Sequence, residues 1–219
     1  MNGPRPVLES MWRGALGLGL FAIVTAGVVS GTRALTAERI AENRLESQYR
    51  VLEEVLPEAL AQVDVEQLLA NTATLPASEA LGQPDAFTVW RAGQGEAQVA
   101  ILPVVARDGY SGDIALLVGI DRQRHVTGVR VIRHQETPGL GDKIERRKSD
   151  WVESFEGRSL GDPAPERWTV GKQGGEFDAF TGATVTPRAV IGAVRRSLEF
   201  SAEHHALLFD IPENEEGTP

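Results

Sequence analysis

The chain has 219 residues, 42% hydrophobic and 24% charged, enough for one domain with a real core and an appendage. A formal charge of −9 argues against a partner held by neutralised phosphates, so nucleic acid is not expected. With Cys 0, disulfides, thiolate metal sites, iron–sulfur clusters and thiol nucleophiles are excluded, and redox chemistry would need an organic cofactor or a metal held by His and carboxylates.

Residues 1–13 read as a short tail. Residues 14–32 (GALGLGLFAIVTAGVVSGT) carry no charge. As a helix this run covers about 28 Å, close to the ~30 Å hydrocarbon core of a bilayer. Trp12 stands at one boundary, where an amphipathic ring prefers to lie. A cleaved leader is the alternative, with Arg5 and Arg13 as its basic region and a cut near Ser30. The run exceeds the ~7–15 apolar residues of such leaders, which favours a single transmembrane helix. Orientation stays open. Arg5 and Arg13 on one flank face Arg33, Arg39, Arg44 and Arg50 on the other, and those are interleaved with acids and lead into a long domain.

Residues 33–86 read as a helical stalk and linker. Thr36 is a candidate N-cap for a helix to about Leu56, with Leu45, Tyr49, Leu52 and Leu56 on one face, Glu46–Arg50 as an i,i+4 pair, and Pro57 as its end. A short helix is expected over 63–69, and small, polar, proline-containing residues 71–86 form the linker. From 87 to 205 the pattern is that of an α+β domain, and residues 206–219 form an acidic tail. Strands are expected at 87–91, 98–105, 114–120 and 125–132, the last two as an antiparallel hairpin. Pro103 pushes its strand toward a sheet edge. Asp142 is read as the cap of a helix carrying Ile144, Trp151 and Phe155 and stopped by Gly157. A strand is expected over 168–172. The last helix starts at Pro187, capped by Thr186, with Val190, Val194 and Leu198 on one face.

Two loops carry candidate chemistry. In Asp178-Ala179-Phe180-Thr181-Gly182-Ala183-Thr184 the glycine permits a close backbone approach, and Thr184 offers a hydroxyl just before a helix N-terminus, where an anion is favoured. In 134–144 (HQETPGLGDKI) Pro138 and the glycines at 139 and 141 permit a tight loop against a planar ligand, with Glu136 and Thr137 as polar contacts. Read locally, each is an ordinary connection before it is a ligand site, and neither alone is diagnostic.

Taken together, HQETPGLGDKI at 134–144, SDW at 149–151, GGEFDAFTGATVTPRAV at 174–190 and GYSGDIALLVGID at 109–121 resemble the G subunit of the bacterial Rnf (Rsx) electron-transport complex. More broadly they resemble the FMN-binding domain shared with the C subunit of the sodium-pumping NADH:quinone reductase. The resemblance implies a twisted, largely antiparallel sheet flanked by helices behind one membrane anchor. It also implies a flavinylation motif at Asp178, Thr181, Gly182, Ala183 and Thr184, in which a flavin transferase joins FMN through its phosphate to Thr184. Glu136, Thr137, Gly139, Leu140, Gly141, Thr181, Gly182 and Ala183 are the implied cofactor contacts. The other Rnf/Rsx subunits are the implied partners, and the inner membrane with the domain in the periplasm is the implied location. The implied activity is electron relay in a complex that exchanges electrons between ferredoxin and NAD with ion translocation, or keeps a redox regulator reduced.

The remaining features are bland. Lys143, Arg146, Arg147 and Lys148 form a basic run, either a solvated face or a group that tunes a flavin or docks a partner. His125, His134, His204 and His205 have no metal-ligand spacing, and no metal is expected. An anchored scaffold of the same fold without flavin is the alternative function. A hydrolase using Thr184 lacks an activating base in the sequence.

Overall fold

The computed structural model describes residues 15–33 and 71–210, together with positions 11, 36, 52, 55–57, 60 and 68. The expected helices over 36–56 and 63–69 fall mostly outside these residues, as do most of the N-terminal tail and the acidic residues 211–219. The chain divides into two units, 1–48 and 49–219, each with its own structure.

In the first unit, α1 (Ala15–Arg33) is a helix of 19 residues and mean hydropathy 1.8, long and apolar enough to cross a membrane. Two of its hydroxyls are turned inward on the helix itself. Thr25 Oγ1 donates to the Phe21 carbonyl and Thr32 Oγ1 to that of Val28, both at 2.8 Å, which suits a surrounding that offers no water.

The second unit is built on a five-stranded antiparallel sheet in chain order: β1 (Thr72–Leu75), β2 (Phe87–Ala92), β3 (Val99–Ala106), β4 (Ile114–Asp121) and β5 (Val126–Arg133). The expected α+β architecture is present, with β2 to β5 within a residue or two of their expected bounds. One difference is β1. Its TATL lies inside the segment read as a linker, yet Thr72 pairs with Trp90 and Leu75 with Phe87, and Leu75 and Leu81 are buried. A second difference concerns Pro103, which sits in the middle strand. The β2–β3 pairing ends at Ile101, and beyond it β3 is met by the 78–83 turn. Val105 N–H donates to the Leu81 carbonyl at 2.8 Å, and the Pro103 carbonyl accepts from Gln83 Nε2 at 3.0 Å. Alternate residues point their amides the same way, so the N–H that Pro103 lacks would face the side β2 has already left.

The alternation of β3 builds two cores. Ala100, Leu102 and Val104 face the main one, under α2 (Val185–Glu203), whose Ala189, Val190, Ala193, Val194 and Leu198 recur at helical spacing and are buried. Val99 and Ile101 face the other side, where Leu52, Val55 and Leu68 of the segment before β1 cover them. Gly119 and Gly128, partners across β4 and β5, make this cover possible. A Cβ on Gly128 would lie 2.9 Å from the Val55 carbonyl oxygen and 3.1 Å from its Cα. The notch is closed by Thr127 Oγ1, which donates to the Val55 carbonyl at 3.0 Å.

Between β5 and α2 the structure departs from the expected helix. Two 3-10 turns, Asp142–Ile144 and Asp150–Phe155, replace it. Asp142 does not cap; its carboxylate accepts from Gly139 N–H at 2.8 Å, and Ser149 caps the second turn by accepting from Trp151 N–H. Ile144, Trp151 and Phe155 are buried as their spacing implied. The expected strand at 168–172 is a single bridge from Val170 to Phe177 followed by a 3-10 turn. A short helix, α3 (His205–Phe209), buries Leu208 and Phe209, so the packed structure runs on past 205.

Candidate functional site

The segment carrying the TGAT tetrad is held from below by aromatic rings. Phe177 lies 4.7 Å from Phe155 and 5.2 Å from Trp168 between ring centroids, and Phe180 lies 5.0 Å from Trp151 in an edge arrangement. The indole N–H of Trp151 donates to the Asp178 carbonyl at 3.0 Å. The SDW segment therefore fixes the backbone where the motif begins. The chain turns at Gly182, with φ +84°, and enters α2 at Val185.

The helix begins two residues before the expected start, and this changes the roles of its first residues. Thr184, not Thr186, is the N-cap position, and its hydroxyl makes no capping hydrogen bond. Pro187 stands in the first turn, where its missing N–H leaves no helical bond unmade. Thr186, only 1% exposed, donates its hydroxyl to Glu136 Oε2.

Glu136 joins three segments. It is 4% exposed, and its Oε1 accepts from Ser111 N–H at 3.0 Å in the β3–β4 turn. Two donors thus satisfy a carboxylate that burial removes from bulk solvent. Gly141 permits this convergence, since a Cβ there would lie 2.9 Å from Thr186 Oγ1 and 3.0 Å from Glu136 Cβ. Glu136 N–H donates to His134 Nδ1 at 3.1 Å, which places the ring proton on Nε2, 2.9 Å from Glu145 Oε1. A hydrogen bond from Arg147 holds the Glu145 carboxyl below its usual range against the opposing effect of burial, with His134 assisting. Partial desolvation pushes the Glu156 carboxyl upward, and Glu153 adds to it against the attraction of Arg130 and Arg146.

The two candidate loops meet around a cavity of about 480 Å³. Glu136, Thr137, Leu140 and Gly141 form one wall, and Gly182, Ala183 and Thr184 the other. Gly139, Thr181 and Asp178 do not line it; Gly139 and Asp178 support it through the hydrogen bonds above, and Thr181 is exposed. Three lining residues carry no role in the sequence-based expectation of cofactor contacts: Tyr110, Val185 and Thr186. Tyr110 is 71% exposed, and its one sequence signal is a large aromatic in a Gly-Ser turn. The basic run is mostly paired: Arg146 with Asp150 and Glu153, Arg147 with Glu145, and Lys148 with Asp142 at 3.6 Å. His125 lies 3.5 Å from Asp121, and His205 Nε2 is 3.0 Å from the Arg122 carbonyl oxygen.

The cavity falls within the ~300–1,000 Å³ of cofactor-sized pockets. Its wall includes the first residues of α2, whose N–H groups have no intrahelical partner and favour an anion. The carboxylate of Glu136, in the facing wall, is held by its two donors. These residues fit a planar, phosphate-bearing cofactor.

The FMN-binding domain family matches residues 109–199, which spans both loops, and the RnfG N-terminal region matches residues 1–55. The G subunit of the ion-translocating oxidoreductase complex of Pseudomonas aeruginosa is 48% identical over 202 residues, covering 91% of this chain and 93% of its own. The G subunit of the Vibrio vulnificus complex is 42% identical over 209 residues, 95% of this chain and 97% of its own. That of Shewanella oneidensis is 42% identical over 215 residues, 98% and 97%. In fold, the chain is similar to the crystal structure of the C subunit of the Na(+)-translocating NADH-quinone reductase from Parabacteroides distasonis, with a TM-score of 0.52 and 15% identity, covering 80% of this chain and 96% of that one. With relatives this similar over nearly their whole length, the chain belongs to the family of G subunits of ion-translocating oxidoreductase complexes and carries its FMN-binding domain.

Proposed function

We propose that this chain is an electron-relaying subunit whose FMN is joined through its phosphate to Thr184. The observation that carries this reading is the state of Thr184: half-buried in the cavity wall, at the N-terminus of α2, with its hydroxyl not spent on capping. When bound, FMN supplies one- and two-electron transfer. The rest falls to the chain's own residues. The α2 N-terminus offers a positive end to a phosphodiester, worth ~0.3–1 kcal/mol when exposed. Thr137 and Leu140 supply the opposite wall, and Leu140, 43% exposed, lets that wall face both the cavity and solvent. With no cysteine for a cluster, the flavin is its one carrier, and the chain relays electrons between neighbouring subunits.

The partners are the other subunits of the complex and, during maturation, a flavin transferase. The wider process is exchange between ferredoxin and NAD with ion transport, or maintenance of a redox regulator. α1 anchors the chain in the inner membrane with the folded domain on the periplasmic side. The test is co-expression of the full chain with a flavin transferase, followed by a denaturing gel under ultraviolet light. The parent band fluoresces and Thr184→Ala does not. Fluorescence that persists in Thr184→Ala refutes the attachment point, and a dark parent refutes covalent flavin.

A further inference from the structure

Thr181, Thr184 and Thr186 lie within six residues, and all three carry the same nucleophilic group. The fold treats them differently. Thr181 is exposed and does not line the cavity. Thr184 lines it with a hydroxyl that makes no capping bond. Thr186 also lines it, but at 1% exposure its hydroxyl is a donor to a carboxylate that is itself 4% exposed.

We propose that Glu136 selects the hydroxyl that is modified: it holds the Thr186 oxygen inside the protein and leaves Thr184 as the acceptor presented in the cavity. This rests on the reading of Thr184 given above. In the transfer, a threonine oxygen bonds to the flavin-side phosphorus of FAD and the pyrophosphate bond breaks. AMP leaves with the bridging oxygen, the hydroxyl proton is released, and no electron moves. The attacking oxygen must therefore reach phosphorus. A carboxylate that accepts the proton would activate an accessible hydroxyl, but Thr186 is buried beneath the contact. Gly141 completes the enclosure, with its backbone packed so close that a Cβ would lie 2.9 Å from Thr186 Oγ1 and 3.1 Å from Glu136 Oε2. Ser111 N–H, bound to Oε1 at 3.0 Å, holds the carboxylate from the opposite side, so Glu136 does not rotate away with Thr186. Glu136 acts here as a positioning residue.

The experiment is peptide mapping by mass spectrometry of the full chain co-expressed with a flavin transferase, with folding checked by near-ultraviolet circular dichroism. The parent carries FMN on Thr184, and an unlabelled parent overturns the attachment reading rather than this one. Thr184→Ala carries no label on Thr181 or Thr186. In Thr184→Ala combined with Glu136→Ala, label appears on Thr186 at about tenfold or more above the detection limit that Thr184→Ala does not exceed, the ratio expected from losing one hydrogen bond to a charged group. Glu136→Gln, which keeps the volume but offers its two donors a single acceptor oxygen, gives a smaller rise in the same direction and serves if the alanine variant does not fold. Label on Thr186 with Glu136 intact, or none on Thr186 in a folded Glu136 variant, overturns the proposal.

Discussion

Gly128→Ala is a direct measure of how the segment before β1 grips the sheet. The added methyl would stand 2.9 Å from the Val55 carbonyl oxygen, 3.1 Å from Cα and 3.3 Å from the carbonyl carbon. All three are backbone atoms, which cannot rotate aside, so the backbone at Val55 must lift. Overpacking of this kind costs about 1–3 kcal/mol. The lift also strains the Thr127–Val55 hydrogen bond, worth ~1 kcal/mol, and the burial of Val55, which is 0% exposed and contributes about 1.5–3 kcal/mol. Against this, glycine-to-alanine substitution stiffens the unfolded chain and returns about 0.4–1 kcal/mol, because φ at Gly128 is not positive. The net expectation is a loss of about 1–2 kcal/mol. Urea unfolding of the full chain in detergent, followed by tryptophan fluorescence, measures it. Trp90 packs against the same cluster as Val55 and reports the change locally. A variant as stable as the parent, or more stable, would refute the notch, because an open site would show only the entropic gain.

Other outcomes follow from single contacts. Trp151→Phe removes the hydrogen bond to the Asp178 carbonyl and costs ~1 kcal/mol in urea unfolding, with slower flavin loading by co-expressed transferase; unchanged values for both would show that the bond does not fix the motif. Arg147→Gln relaxes the Glu145 carboxyl toward its ordinary value. A depressed carboxyl contributes stability above its unfolded pKa and loses it as pH falls through the folded one, so this variant loses stability at neutral pH and little in strong acid, as acid-unfolding curves will show. Glu156 has the opposite sign, its folded pKa being raised. Glu156→Gln therefore gains stability relative to the parent as pH rises through and above the ordinary carboxylate range, measured as thermal midpoints along that rise, and a flat difference would contradict the raised pKa.

The sheet is largely legible in the sequence because a continuous apolar run marks β4 and an alternating run after a short polar turn marks β5 wherever they fall in a chain. The unexpected β1 shows the limit: TATL is too short and polar to signal a strand, and it forms because β2 offers it an edge. The pair of 3-10 turns reads as one helix because Ile144, Trp151 and Phe155 keep a helical spacing in what they bury, while Gly139 takes the carboxylate that would have capped it. At the site, both loops are visible as sequence, but their meeting is not. Glu136 and Thr186 are fifty residues apart, and only the fold shows that the hydroxyl read as a cap belongs to a carboxylate. The second core has the same cause: Val55 and the two glycines facing it carry no local pattern that links them.

Because the strands lie side by side in the order in which they are made, a growing polypeptide can lay down the whole sheet by Arg133. The helix that roofs its inner surface, Val185–Glu203, begins some fifty residues later in the chain and docks on the third and fourth strands. Until then Leu102, Val104, Leu116 and Val118 have no lid, and a product cut short before that helix would be sticky and prone to clump. The same helix delivers Thr184 to the loop at 136–141, so the pocket comes into being last, once α2 has docked.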